Sequence, residues 1–156
     1  MDERTLADRY RRLGGQLAGL IAGVSNPISR MATAAALLHA KLPGFSWTGW
    51  YLLDERGELV VGPYQGPLAC LRLPAHTGVC WAAIDRGECL IVPDVHAFPG
   101  HIACDARSRA EIVVPVRDRA GATVGVLDVD SEQPGRFTGT DRAGLEAIAA
   151  MIYHRT

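Results

Sequence analysis

With 156 residues, 48% of them apolar and 21% charged, the chain has the size and balance of one globular domain (1–156) with one substantial core, and no stretch is polar enough to stay disordered. A net charge of −1, with acids and bases interspersed, provides no basic footprint for nucleic acid. The opening MDERTLADRYRR lacks the apolar centre of a signal peptide and no run approaches a membrane span, so the expected setting is the cytoplasm, where cysteines rest as thiols and a disulfide is more often transient and catalytic than structural.

In chain order, Leu6, Tyr10, Leu13, Leu17 and Leu20 form a helical stripe ending at the turn signals Gly23 and Asn26. Asn26 before Pro27 reads as an N-cap with proline at the first helical position, opening a second helix through Ile28, Met31, Ala35, Leu37 and Leu38 that packs antiparallel to the first. Residues 45–53, FSWTGWYLL, and 59–64 form a hairpin about Glu55, Arg56 and Gly57. A short helix over 79–86 closes at Gly87, and residues 89–92 make another strand. Residues 110–117 and 123–131 form a second hairpin around Arg119, Ala120 and Gly121; Thr140 then caps a last helix carrying Leu145, Ile148, Ala149 and Ile152. This order predicts an α+β domain: an antiparallel sheet with the N- and C-terminal helices on one side and a loop on the other.

That loop, PDVHAFPGHIACDARSRAEIVVP at 93–115, is long for a compact domain and rich in His, Cys and Asp, which marks it as functional. Cys104 is the candidate nucleophile, since a thiol in a polar loop contributes little to packing, whereas Cys89, leading a core strand, reads as a small buried hydrophobe. The cysteines show no CxxC spacing; a zinc site assembled in three dimensions from His76, His96 or His101 with a cysteine is the weaker reading.

A second constellation is Glu111, Asp128 and Asp130. Two residues apart in GVLDVDS, Asp128 and Asp130 share a strand face, with Val126 and Val129 placed in other surroundings. Pairing around the 119–121 turn brings Glu111 beside Asp130 and Ser131. Solvated edge charge is the ordinary explanation of strand carboxylates. Three in adjacent apolar strands are costly without a cation or proton, so an ammonium guest is expected, with one carboxyl kept protonated as an acid.

The segments GPYQGPLAC at 62–70, GVC at 78–80, DVHAFPGHIACD at 94–105, EIVVP at 111–115 and GVLDVDS at 125–131 resemble the signatures of the free methionine-(R)-sulfoxide reductases, small enzymes of the GAF fold. The resemblance extends from Asn26 to the last helix. It implies thioredoxin-dependent reduction of free methionine-(R)-sulfoxide, often by a homodimer, with no bound cofactor. It also places the family's three cysteines on Cys70, Cys80 and Cys104, with Cys104 as nucleophile, the substrate carboxylates on Glu111, Asp128 and Asp130, and the aromatic wall on Trp47 and Tyr51. Cys89 has no counterpart. Trp81 stands where a small glycine is usual and Ala110 where serine is common, and the tryptophan is expected to reshape the pocket wall or the path of Cys80.

On that reading the Cys104 thiolate attacks the sulfoxide sulfur, a carboxyl protonates the departing oxygen, and Cys70 or Cys80 resolves the resulting sulfenic acid as a disulfide. Nearby carboxylates raise the thiol's pKa, and the substrate's ammonium offsets them. The alternatives are a GAF-type ligand-binding or redox-sensing module without turnover and a metal-dependent hydrolase.

Overall fold

The apolar stripe that starts at Leu6 closes on Ile21, which is buried, and leaves Leu20 exposed on the outer face. This is helix α1, Glu3–Ile21, in a computed structural model that describes residues 1–102 and 104–154; Ala103 of the HIAC segment lies outside the described residues. Asn26 caps the second helix α2, Pro27–Lys41, by accepting from the N–H groups of Ile28 and Ser29. Arg9 Nη1 on α1 donates to the Lys41 carbonyl at 3.0 Å, so the start of one helix meets the end of the other, as an antiparallel pair requires. Ile28 is exposed, and Met31, Ala34, Ala35 and Leu38 form the buried stripe of α2.

Strands β1 (Trp47–Leu53), β2 (Leu59–Gln65), β3 (Arg72–Leu73), β4 (Leu90–Val92), β5 (Ala110–Arg117) and β6 (Thr123–Ser131) build one sheet in the order β3-β2-β1-β6-β5-β4, every pair antiparallel. The two hairpin turns are built alike: Asp54 and Asp118 each accept from two N–H groups inside the turn, and Gly57 and Gly121 take φ of +74° and +83°, where a side chain would be strained. The two-residue strand β3 carries no alternation signal and is set by pairing with Leu59 and Val60.

Both faces of the sheet are covered. On one, Trp50, Ile112, Val114, Leu127 and Val129 pack against α1, α2 and the last helix α4, Gly139–Ala150. On the other, Trp47, Tyr51, Val113 and Val126 pack against the short helix α3, Gly78–Arg86, and the loop that follows β4. Val126 therefore shares the face of Asp128, contrary to the placement expected from the sequence, because both are even-numbered on one regular strand. Of the two valines, Val129 looks the other way.

Long-range polar ties close the helical layer. The N-cap of α4 is Thr138, not Thr140: its hydroxyl accepts from Thr140 N–H while Asp141 accepts from the Thr138 N–H, a reciprocal box that requires the acid three residues after the cap. Asp141, fully buried, also accepts from Tyr10 Oη at 2.8 Å and Arg136 at 3.0 Å. Buried Arg30 donates to the carbonyls of Val24, Met151 and His154, which pins the chain end onto α2.

Candidate active site

The register of the second hairpin sets Glu111 directly opposite Asp130 and Val113 opposite Asp128. All three carboxylates line one cavity on the α3 face of the sheet, together with Trp47, Tyr51, Cys80 and Cys104. Glu111 and Asp128 are buried; Asp130, opposite Trp47 on β1, is partly open to solvent. Burial, followed by repulsion from Asp128, pushes the Glu111 and Asp130 carboxyls well above the usual range, and burial raises Asp128 to about 6. One oxygen of Asp128, Oδ1, is buried without a hydrogen-bond partner. Burial without a counter-charge thus disfavours the charged forms of these carboxyls.

The thiol nearest these carboxylates is Cys80. It is buried in the first turn of α3 and its Sγ donates to Glu111 Oε1 at 3.9 Å. Burial, then Asp128 and Glu111, drives its pKa upward. Among the described residues, Cys80, Glu111 and Asp128 form a trio whose donor atoms lie within 4.8 Å of one another, the set that could hold a metal ion. Among the described residues no histidine joins a cysteine in such a set: His76 pairs with Asp85 at 2.9 Å, and His96 faces His101 with ring centroids 6.1 Å apart. His101 lines the cavity, with burial and His96 pushing its pKa down.

Cys104, in the loop after β4, is joined by a disulfide to Cys70, with Cα atoms 5.5 Å apart. Both cysteines are half-buried, and Cys104 lines the cavity. Aromatic anchors hold the Cys70 segment there: Tyr51 Oη donates to the Cys70 carbonyl at 2.9 Å and Trp47 Nε1 to the Pro67 carbonyl at 3.1 Å. Trp47 is stacked between Tyr51 and Tyr64, at centroid distances of 5.8 and 5.2 Å. Gly49 makes this packing feasible, since a Cβ there would collide with the Trp47 ring and Tyr64.

All eight residues singled out from the sequence therefore meet in space: seven line the cavity and Cys70 is bonded to one of them. Sequence reasoning missed Leu68, Thr77 and Ser108, which line it as well. Thr77 precedes α3 as its N-cap but makes no side-chain cap bond, so the first helical turn faces the cavity uncapped. Gly78, the first residue of α3, takes a left-handed φ of +84° directly after Thr77 and is the legible trace of that arrangement.

The GAF domain family model matches residues 28–152. Over 143 residues the chain is 42% identical to the free methionine-R-sulfoxide reductase of Escherichia coli (strain K12), covering 92% of this chain and 86% of that one. It belongs to the free methionine-R-sulfoxide reductase family. The Saccharomyces cerevisiae reductase of that name is 38% identical, covering 86% of this chain and 78% of its own. The family fold is shared closely with the Neisseria meningitidis enzyme solved in complex with its substrate: TM-score 0.89 and 41% identity, covering 97% of this chain and 89% of that one.

The two departures from the family pattern fall away from the cavity. Trp81 is buried beside Cys80 but turns toward β3, where its Nε1 donates to the Leu73 carbonyl at 3.4 Å and its ring meets His76. It does not line the cavity, which corrects the expectation that it would reshape the wall directly. Ala110 is buried in the helical-side core, on the sheet face opposite Glu111. Cys89, with no family counterpart, is likewise a core residue there, and burial raises its pKa to about 11.

Proposed function

We propose that this protein reduces free methionine-(R)-sulfoxide to methionine, with Cys104 as nucleophile and Cys70 as the resolving thiol. The observation that carries this reading is a half-buried Cys70–Cys104 disulfide whose Cys104 lines the same cavity as three carboxylates. A ligand with a full positive charge suits that cavity, because an α-ammonium offsets the negative charge that burial disfavours on Glu111, Asp128 and Asp130. The uncapped start of α3 supports the other end of an amino acid, since free N–H groups at a helix N-terminus favour a carboxylate. Trp47 and Tyr51 form an apolar wall for the thioether portion.

The chemistry follows from these groups. The Cys104 thiolate attacks the sulfoxide sulfur, and a protonated carboxyl of the cluster delivers its proton to the sulfoxide oxygen. Oxygen passes to Cys104 as a sulfenic acid and methionine leaves, reduced by two electrons. The Cys70 thiol then displaces hydroxide from Cys104, giving the disulfide and water. A dithiol reductant, thioredoxin, returns both cysteines to thiols in a reducing compartment such as the cytoplasm. Cys80 remains a buried S–H donor to Glu111 and takes no part in disulfide exchange.

The deciding experiment is thioredoxin-coupled turnover on the separated R and S epimers of free methionine sulfoxide. Turnover confined to the R epimer is expected. Tight binding of an amino acid without turnover would leave a GAF-type ligand-binding module in place of an enzyme.

A further inference from the structure

Cys70 sits in a strip of chain unlike any other on the surface. Leu68 and Leu71, 87% and 77% exposed, are the most exposed large apolar side chains among the described residues, and they bracket Cys70. Their exposure is not slack in the chain, since the inner side of the strip is fastened: Pro67 and Cys70 carbonyls accept from Trp47 and Tyr51, and the Leu71 carbonyl accepts from Val61 N–H. The strip then runs into β3, which pairs with β2 on one side and is the terminal strand of the sheet on the other. A fastened segment thus presents two bare leucines, an open strand edge and one sulfur of a disulfide on the same few residues.

We infer that residues 68–72 are the docking strip for the external dithiol reductant and that Cys70 is the sulfur it attacks; this rests on the reductase reading above. Open edges recruit extended main chain from a partner, and exposed leucines beside them are covered when that partner seats. The occupant is a dithiol oxidoreductase with an apolar rim around its nucleophilic thiol. Its thiolate attacks Cys70 Sγ, forming an intermolecular disulfide and releasing Cys104 as the thiolate that the next sulfoxide needs. The partner's second thiol then displaces Cys70; the partner leaves oxidised by two electrons and both cysteines are left reduced.

The test compares two reductants on the full chain. Leu71 does not line the cavity, so Leu71→Ser is expected to raise the KM for thioredoxin about tenfold, the effect of withdrawing one buried leucine from an interface. Turnover driven by dithiothreitol, too small to need the strip, is expected to stay within about twofold of the parent, and Leu71→Met to restore thioredoxin use. A thioredoxin whose second cysteine is replaced by serine should be trapped on Cys70, identified by mass spectrometry of the linked peptides. Trapping on Cys104, or a Leu71→Ser variant with an unchanged thioredoxin KM, overturns the docking strip. A parent that turns over with dithiothreitol but not with thioredoxin overturns it too while sparing the reductase reading, and a parent that turns over with neither reductant overturns that reading itself.

Discussion

Replacing Asp128 by asparagine should make the substrate-free protein more stable at neutral pH while weakening its chemistry. The carboxyl is buried, one oxygen has no partner, and its pKa is raised from 3.8 to about 6. Between those two values the folded state keeps a proton that the unfolded chain has lost, so stability falls as pH rises through that window and the full penalty persists above it. At about 1.36 kcal/mol per pH unit the penalty at pH 7 is about 3 kcal/mol. The amide carries no charge but places a donor where Glu111 must accept, and an imperfectly paired buried amide returns about 1 to 2 kcal/mol of that gain. A net gain of about 1 to 2 kcal/mol is expected, or about 2 to 8 °C in Tm for a chain of this size. Asp128 also raises the carboxyls of Glu111 and Asp130, so relief at those two adds in the same direction. Thermal unfolding of the disulfide forms at pH 4 and pH 7 measures this: the advantage should appear at pH 7 and vanish at pH 4, while turnover drops. If Asp128→Asn is no more stable than the parent at pH 7 and shows the same pH slope, the carboxylate floor is not a strained cation site and the electrostatic argument for an ammonium guest fails.

N-acetylation of methionine sulfoxide removes the ammonium and leaves the carboxylates without a counter-charge, a loss of about 3 to 5 kcal/mol. The expected drop in kcat/KM is at least about two orders of magnitude at pH 7, and Glu111→Gln should narrow the gap between the two substrates; equal discrimination by the variant would assign selection to cavity shape. Cys104→Ser should form no methionine in a single turnover, Cys70→Ser should form one equivalent and stop, and Cys80→Ser should continue to cycle with thioredoxin, as quantified by methionine released per enzyme. Arg30→Met should lower Tm by about 6 to 12 °C, because three carbonyls lose a charged donor worth about 3 kcal/mol in total, with little change in kcat.

Local chemistry made much of this molecule legible in its sequence. Caps and turn residues such as Asn26, Gly57, Gly87 and Gly121 act on the backbone within a few residues, so their meaning survives without the fold. Strand parity and a short hairpin turn bring Glu111 to Asp130 by counting alone, because both operate along neighbouring strands. The long His- and Cys-bearing loop announced itself by composition. Only the tertiary structure paired Cys70 with Cys104, put Cys80 beneath the carboxylates, and turned Trp81 and Ala110 away from the cavity. It also closed the helical layer on buried Arg30 and Asp141, each of which reaches a partner more than a hundred residues away. Such contacts depend on how α3 and the loop settle on one face of the sheet and three helices on the other. That docking is fixed by packing across long sequence separations, which no local pattern of residues encodes.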